Sequence, residues 1–199
     1  SLREDPGTKL AGKITALFDV RRQLWRGIAY QENPQQNERR AAREMLDYVP
    51  KGSLLLTDLG YFGFQWFDDL TQAGLYFVSR LRKKTTFDII EVLYQDDTVL
   101  DALVWLGSYR ADRARFSVRL IQYYHNGVQR SFITNVLDPR LLSLSEIAMA
   151  YARRWDIEMM FNLIKTHLKL HLLWSSKLTV VLHQVFAVFT IAQVILGLR

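Results

Sequence analysis

Two short segments with uninterrupted apolar runs, SLLLT at 53–57 and LYFVS at 75–79, constrain the fold of this chain more than any other feature. Each is too short for a typical helix, and such continuous apolar runs are typical of strands inside a parallel or mixed sheet. Between them, FQWFDDLTQAG at 64–74 has the pattern of a helix that ends at Gly74. These segments predict an α/β fold with a mixed sheet whose strands are buried on both faces.

Local patterns predict the remaining elements. Two apolar runs separated by a pair of arginines predict a hairpin over 12–30, and the Asn126-Gly127 pair predicts a second hairpin. Strand-like pieces alternate with charged turns over 82–142, which predicts a β-rich insertion between core segments 1–81 and 143–199. Helices are expected over 38–49, from a serine cap at Ser143 or Ser145 to about 170, and over 178–198.

The charge balance limits the kind of partner. The chain of 199 residues has a formal net charge of +6 and a pI of about 9.6, and it contains no cysteine. A basic chain favours polyanionic partners, above all nucleic acid, and a membrane surface is a second possibility. The lack of cysteine excludes disulfides and thiolate metal sites, and it favours a reducing cytoplasm.

The C-terminal segment 178–199 is apolar enough to be compared with a membrane span. Polar residues recur along it at helical spacing, which favours a mostly buried core helix over a membrane anchor. The residues of this polar stripe are Thr179, His183, Thr190 and Gln193, with Gln184 beside them.

A polar arc on the predicted helix 151–170 is the first sign of chemistry. At 100° per residue, Tyr151, Arg154, Glu158 and Lys165 fall within an arc of about 60°. Arg154 and Glu158 could form an ordinary surface ion pair, whereas Glu158 and Lys165 lie too far apart to pair. The alternative is a carboxylate that holds a metal ion beside cations that hold phosphates. An apolar stripe next to this arc contains Ile157, Met160, Phe161, Ile164 and Leu168.

Asp58 follows the predicted strand SLLLT and precedes Gly60 by two positions. The carboxyl end of a strand in an α/β sheet is a recurrent position for ligand-binding residues. Asp58 could instead start the turn or cap the next helix. A carboxylate at a strand end and another on a helix, Glu158, are the components of a divalent metal site that cleaves phosphodiesters.

The spacing Tyr151, Arg154, Glu158, Lys165 resembles the Tyr-Arg-Glu-Lys signature of a family of bacterial insertion-sequence transposases of the DDE type. LLLTDLGYFGFQWFDDLTQAGLYFVSRL resembles the block around the second aspartate of that family, and LSEIAMAYARRWDIEMMFNLIK resembles its glutamate block. The resemblance covers nearly the whole chain.

This resemblance implies an RNase H-like mixed sheet flanked by helices and interrupted by a β-rich insertion. It implies metal-dependent DNA strand cleavage and strand transfer, with Asp58 and Glu158 as catalytic ligands of Mg²⁺ or Mn²⁺. Tyr151, Arg154, Lys165 and Arg80 would bind DNA. The implied setting is the bacterial cytoplasm at the nucleoid, with DNA as partner, a homodimer in the DNA complex and no membrane.

The first catalytic aspartate of that family has no counterpart in this sequence. Asp5 lies in a turn context, and Asp19 lies at the tip of the predicted hairpin, the wrong end of the sheet for a metal ligand. We therefore expect the first aspartate and the first core strand to precede residue 1 and this chain alone to be inactive. A fragment that only binds DNA through its charge, or a membrane-anchored protein, are the alternatives.

Other residues carry weaker indications. His167 and His171 have helical spacing for a zinc site, but no third ligand is evident. Core packing is favoured over base stacking for Trp155. Asp96, Asp97 and Asp101 are interpreted as a solvated acidic loop. The run 80–84 and the arginines of 110–119 are either solvated surface or the lining of a DNA groove; these arginines are Arg110, Arg113, Arg115 and Arg119.

Overall fold

The computed structural model of this chain describes residues 12–33, 38–170, 175 and 177–198. The strands within these ranges are β1 (Lys13–Asp19), β2 (Leu24–Gln31), β3 (Leu54–Thr57), β4 (Tyr76–Arg80), β5 (Phe87–Gln95), β6 (Val99–Leu106), β7 (Val118–His125) and β8 (Val128–Thr134). The α-helices are α1 (Glu38–Met45), α2 (Phe64–Gln72), α3 (Leu144–Ala152), α4 (Arg154–Asn162) and α5 (Leu178–Gly197). The fold is thus of the predicted α/β class.

The described residues form two compact units. The first contains the described residues of 1–48 and 155–199, and the second contains 49–154. This division differs from the predicted one, in which 82–142 is an insertion between 1–81 and 143–199. In the second unit the strands of 82–142 join the same sheet as β3 and β4. The interpretation of 82–142 as an insertion stays a prediction.

The first unit is built around the hairpin predicted over 12–30. β1 and β2 pair antiparallel in a two-stranded sheet, and α5 packs on this hairpin together with residues that follow α4. The Trp25 ring contacts Phe18, Phe161 and Phe189 with centroid distances of 4.7, 5.8 and 4.8 Å. The Gln193 side chain accepts a hydrogen bond from the Trp25 backbone N–H and donates one to the Gln23 carbonyl. The helix and the hairpin therefore share an apolar core and are also joined by the hydrogen bonds of Gln193.

Helix α5 contributes one face to the core of the first unit, as predicted for a core helix, but the prediction that it is mostly buried is wrong. By length and composition α5 could cross a membrane, and 39% of its most apolar window is buried inside the structure. Thr179, His183 and Thr190 of the predicted polar stripe are exposed, while Gln184 is buried. Among the described residues, those of the hairpin and of the segment after α4 pack on one side of this 20-residue helix.

The second unit contains a six-stranded mixed sheet with the order β3-β4-β8-β7-β6-β5. β3 and β4 are parallel, and every other neighbouring pair is antiparallel. Phe77 and Val78 are adjacent in β4 and therefore point to opposite faces of the sheet. Phe77 stacks on Phe67 of α2, and Val78 belongs to the core cluster that includes Ile147 of α3. Helices thus flank the sheet, as expected for an RNase H-like fold.

The position of β3 corrects one prediction. β3 pairs in parallel with β4, as predicted, but it is an edge strand of the described sheet, and Leu54 is 38% exposed. Burial of this strand on both faces was therefore wrong. An apolar run alone does not distinguish an edge strand from a central one, because its pairing depends on residues far away in the chain.

Several helix and strand boundaries lie where local signals in the sequence predicted them. Ser143 caps α3 in a capping box with Glu146, in which each side chain accepts from the backbone N–H of the other residue. Gly74 follows α2 with a φ of +72°. Asn126 and Gly127 connect β7 and β8 with φ values of 51° and 71°, the left-handed region that a tight hairpin of this kind requires.

The predicted single helix from Ser143 to about residue 170 is interrupted twice. Arg153 separates α3 from α4, and its N–H reaches the carbonyls of Ala150 and Tyr151. Residues Leu163–His167 form a π-turn, with a backbone bond from Leu168 N to Leu163 O of 3.1 Å. A π-turn changes the angle per residue, so the uniform 100° spacing does not apply at Lys165.

Candidate active site

Asp58 directly follows β3, at the carboxyl end of a strand that has a parallel neighbour. Its backbone carbonyl accepts a hydrogen bond from the Tyr61 N–H at 3.0 Å and starts a 3₁₀ turn over Leu59–Tyr61. Its carboxylate makes no capping bond to this turn and is 57% exposed. The capping alternative is therefore wrong for the side chain, which remains accessible from solvent.

Arg154 and Tyr151 accompany Asp58 in the same compact unit. The Arg154 Nη1 lies 3.8 Å from Asp58 Oδ1, and its guanidinium carbon lies 5.6 Å from the centroid of the Tyr151 ring. The Arg154 side chain is only 13% exposed. The Tyr151 ring contacts Phe132 of β8 edge-on at 5.0 Å, which attaches the end of α3 to the sheet. The sheet and α3 thus bring three of the predicted site residues together.

Arg80 is the last residue of β4 and lies at the same edge of the sheet as Asp58. In the parallel register Thr57 pairs with Ser79, so Asp58 and Arg80 are the next residues on the two neighbouring strands. Arg80 is exposed, whereas Phe77, Val78 and Ser79 before it are buried. The strand thus ends where its cationic side chain reaches solvent beside the carboxylate.

The environment of Tyr151 raises the pKa of its hydroxyl. Burial raises the pKa of Tyr151 above its ordinary value of 10.0, Asp58 raises it further, and Arg154 and Arg80 act in the opposite direction. The hydroxyl oxygen is buried and has no hydrogen-bond partner at ordinary geometry among the described residues. The folded chain therefore holds the Tyr151 proton more tightly than an exposed tyrosine would.

Glu158 and Lys165 lie in the other compact unit. Glu158 is exposed on α4, and Lys165 is exposed in the π-turn, with its ammonium nitrogen 5.9 Å from the centroid of the Phe161 ring. Ile164 of the predicted apolar stripe is buried in the core of this unit. That Glu158 meets Asp58 stays a prediction.

The donor set for a metal ion is partly present. Asp58 offers an accessible carboxylate, which suits a hard divalent cation. Across the described ranges, no three side chains of His, Cys, Asp or Glu are grouped closely enough to hold a metal ion. Asp19 is engaged elsewhere, because its carboxylate accepts from the Arg22 N–H at 2.9 Å and pairs with Arg26 at 3.1 Å. These contacts lower the pKa of Asp19, led by the bond from Arg22.

Two further predictions are corrected by a buried ion pair in the second unit. Arg119 of β7 is 1% exposed, and its side chain forms two hydrogen bonds of 2.7 and 2.6 Å to Asp101 of β6. Asp101 is therefore not part of a solvated loop, and Arg119 cannot line a DNA groove. The signal in the sequence was the acid inside the apolar run VLDALVWL, where a buried charge requires a partner.

The structure decides two of the weaker indications, those for Trp155 and for Asp96. Trp155 is 61% exposed, so core packing is wrong for it, whereas Phe161 of the same helix packs on the core. Asp96 does lie in the β5–β6 turn, where bonds from Tyr94, Thr98 and the Val99 N–H lower its pKa to about 2. His171 and Asp5 lie outside the described residues.

Comparison with known proteins adds one finding. The family model described as transposase DDE domain matches residues 6–194. No curated protein and no solved structure matches the chain. The matched family acts in DNA transposition, and its members generally use divalent metal ions. Because the match spans nearly all of the sequence, the chain belongs to the transposase DDE domain family.

Proposed function

We propose that this chain supplies catalytic residues for metal-dependent DNA strand cleavage and strand transfer in transposition. The observation that carries the proposal is the accessible carboxylate of Asp58 at the carboxyl end of β3, beside the guanidinium groups of Arg154 and Arg80 and the Tyr151 phenol. One carboxylate among two cations gives this edge of the sheet a positive local charge. Such a surface attracts a phosphodiester and leaves a carboxylate to bind a cation.

Asp58 and Glu158 are proposed as the catalytic ligands of Mg²⁺, or of Mn²⁺ in its place. The 3.8 Å contact with Arg154 is too long for a strong hydrogen bond, so the Asp58 carboxylate keeps oxygen lone pairs available for a metal ion. When bound, the metal supplies activation of the attacking hydroxyl and charge stabilisation of the leaving oxygen. We expect the two carboxyl groups to lie within about 8 Å of each other, since metal ions in two-metal sites lie about 4 Å apart.

Arg80, Arg154, Tyr151 and Lys165 are proposed to hold phosphates. Arginine presents a planar fork of donors that matches phosphate oxygens, and lysine acts as a point charge. The neutral Tyr151 hydroxyl adds a donor that carries no charge. Contacts of this kind position the DNA backbone without reading the sequence of bases.

The wider setting follows from the resemblance to bacterial insertion-sequence transposases. We propose DNA as the substrate, both as element ends and as target, and a homodimer in the DNA complex. The bacterial cytoplasm at the nucleoid is the corresponding location. The inactivity expected for this chain alone stays a prediction.

A nicking assay distinguishes the enzyme from a fragment that only binds DNA. The chain is incubated with supercoiled DNA in Mg²⁺ or Mn²⁺, next to Asp58→Asn and Glu158→Gln. Nicking that both substitutions abolish supports cleavage by the proposed ligands and contradicts the inactivity expected above. DNA binding without nicking agrees with that expectation and favours the binding-only alternative for the isolated chain.

The metal ligands are tested by DNA affinity, measured as fluorescence anisotropy with Mg²⁺ or with EDTA at constant ionic strength. We expect Mg²⁺ to strengthen binding by the unsubstituted chain, because a bound cation bridges carboxylates to phosphate. Asp58→Asn and Glu158→Gln should lose this response, yet bind at least as tightly in EDTA, because each removes a negative charge that repels phosphate.

Asp97→Asn is the matched control, since Asp97 is an exposed acid in the β5–β6 turn of the same unit as Asp58. It should keep the full Mg²⁺ response. An unchanged Mg²⁺ response in both Asp58→Asn and Glu158→Gln would refute the proposed ligand pair.

A further inference from the structure

A turn directly after β4 carries three consecutive basic residues, Arg82, Lys83 and Lys84, which we call the basic turn. All three are exposed. Among the described residues, no acidic group lies within ion-pair distance, 4.0 Å, of any of them. The turn therefore presents three positive charges that no acidic group in the described part of the chain neutralises.

Arg82 fastens the basic turn to the segment that carries Asp58. Its Nη2 donates a hydrogen bond of 3.0 Å to the carbonyl oxygen of Leu59, the residue after Asp58. Its guanidinium carbon lies 5.1 Å from the centroid of the Phe62 ring. Leu59 lies 23 positions before Arg82 in the sequence, so this contact depends on the pairing of β3 with β4. The charges of the turn are thus held beside the candidate active site.

The conformation of the turn is defined by its own hydrogen bonds. The Thr85 N–H and hydroxyl both donate to the Arg82 carbonyl, at 3.2 and 2.7 Å. Lys84 has a φ of +64°, in the left-handed region. The backbone therefore folds back on itself over four residues and holds Lys83 and Lys84 at its tip.

The arginines between residues 110 and 115 differ from the basic turn because each of them has a carboxylate partner. Arg110 forms bonds of 2.7 and 2.9 Å to Asp112, Arg113 lies 4.0 Å from Asp88, and Arg115 lies 3.6 Å from Asp68. Their charges are compensated by carboxylates of the same unit, whereas no described carboxylate pairs with the basic turn. The basic turn, and not the arginines of 110–115, is therefore the surface whose positive charge is available to a ligand.

We propose that the basic turn binds phosphates of the DNA backbone next to the phosphodiester held at Asp58. This inference rests on the proposed function and extends its phosphate contacts to three residues outside the transposase signature. Lysine at an exposed tip neutralises phosphates as a point charge and carries no sequence information. Each phosphate that is neutralised in this way releases counterions. The contact therefore makes the slope of log K against log salt steeper.

The test is the slope of log K against log salt for duplex DNA, measured by fluorescence anisotropy on two duplexes of unrelated sequence. Lys83→Ala and Lys84→Asn should each make the slope shallower by about 0.9, and the double variant by about 1.8. Asparagine is chosen at position 84 because it tolerates the left-handed region. Lys83→Arg should keep the slope of the unsubstituted chain, and the losses should be the same on both duplexes.

Lys51→Ala is the matched control. Lys51 is exposed and lies in the same unit, but it precedes β3 and so lies towards the opposite end of that strand from Asp58. It should leave the slope unchanged. An unchanged slope in the Lys83/Lys84 double variant, with normal binding by the unsubstituted chain, overturns this inference alone. An equal effect of Lys51→Ala also overturns it, because only net charge would matter. No salt-dependent binding by the unsubstituted chain overturns the proposed function as well.

Discussion

The Arg154 guanidinium lies 3.8 Å from the carboxylate of Asp58, and the two side chains differ sharply in exposure, 13% for the arginine and 57% for the aspartate. The pair connects the carboxyl end of β3 to the first residue of α4 within one compact unit. The Arg154 side chain is mostly enclosed by neighbouring residues, whereas the Asp58 side chain faces solvent. A side chain in the position of Asp58 can exchange one cationic partner for another with little change in the fold.

The first prediction separates the stability of the fold from its activity. Asp58→Asn should lower the free energy of unfolding by less than about 1 kcal/mol, because exposed and long ion pairs contribute little. The same substitution should abolish the Mg²⁺ response of DNA binding. Urea unfolding followed by circular dichroism measures the first quantity. A loss of several kcal/mol would mean that Asp58 is a structural residue.

The second prediction concerns the meeting of Asp58 and Glu158. The natural sequence contains no cysteine, so Asp58→Cys/Glu158→Cys introduces the two thiols of the chain. If the carboxyl groups lie within about 8 Å, as a shared metal site requires, a short bismaleimide should cross-link these thiols within one chain. The product is detected by mass spectrometry after proteolysis. Lys51→Cys/Glu158→Cys is the control and should not cross-link, and equal cross-linking of both pairs would contradict the shared site.

The third prediction uses the raised pKa of Tyr151. Because the folded chain holds the Tyr151 proton more tightly than the unfolded chain, this contribution to stability is complete below about pH 10 and is lost as the pH rises above that value. Tyr151→Phe cannot ionise, so its unfolding free energy should decline less steeply from pH 9 to 11. Tyr109→Phe, at a fully exposed position, should decline as the unsubstituted chain does. Identical alkaline profiles for all three chains would refute the assignment.

The fourth prediction tests the buried pair of Arg119 and Asp101. Arg119→Met leaves a buried carboxylate without its partner and should cost about 3–5 kcal/mol of stability. The double variant Arg119→Met/Asp101→Leu should recover much of this loss, because no buried charge remains. The free energies come from urea unfolding of the single and double variants. Additive losses in the double variant would show that the two charges do not interact.

Short-range signals in the sequence determined much of the secondary structure and the position of Asp58 in the candidate active site. Asn126-Gly127 specified a hairpin, Ser143 capped α3, and the apolar run before Asp58 placed that carboxylate at the end of a strand. Each of these features depends on the backbone preferences and hydrogen bonds of a few neighbouring residues. The resemblance to transposases, based on the spacing of the signature residues, was confirmed at the level of the family.

Tertiary structure alone decided which side chains meet. It made β3 an edge strand, joined β5–β8 to the sheet of β4, and paired Arg119 with Asp101. It also gave carboxylate partners to the arginines of 110–115 and, within the described ranges, none to the basic turn. The physical reason is that an ion pair or a strand pairing depends on residues brought together by long-range packing. A one-dimensional pattern shows which charges exist, but the fold decides which of them are already compensated and which are available to a ligand.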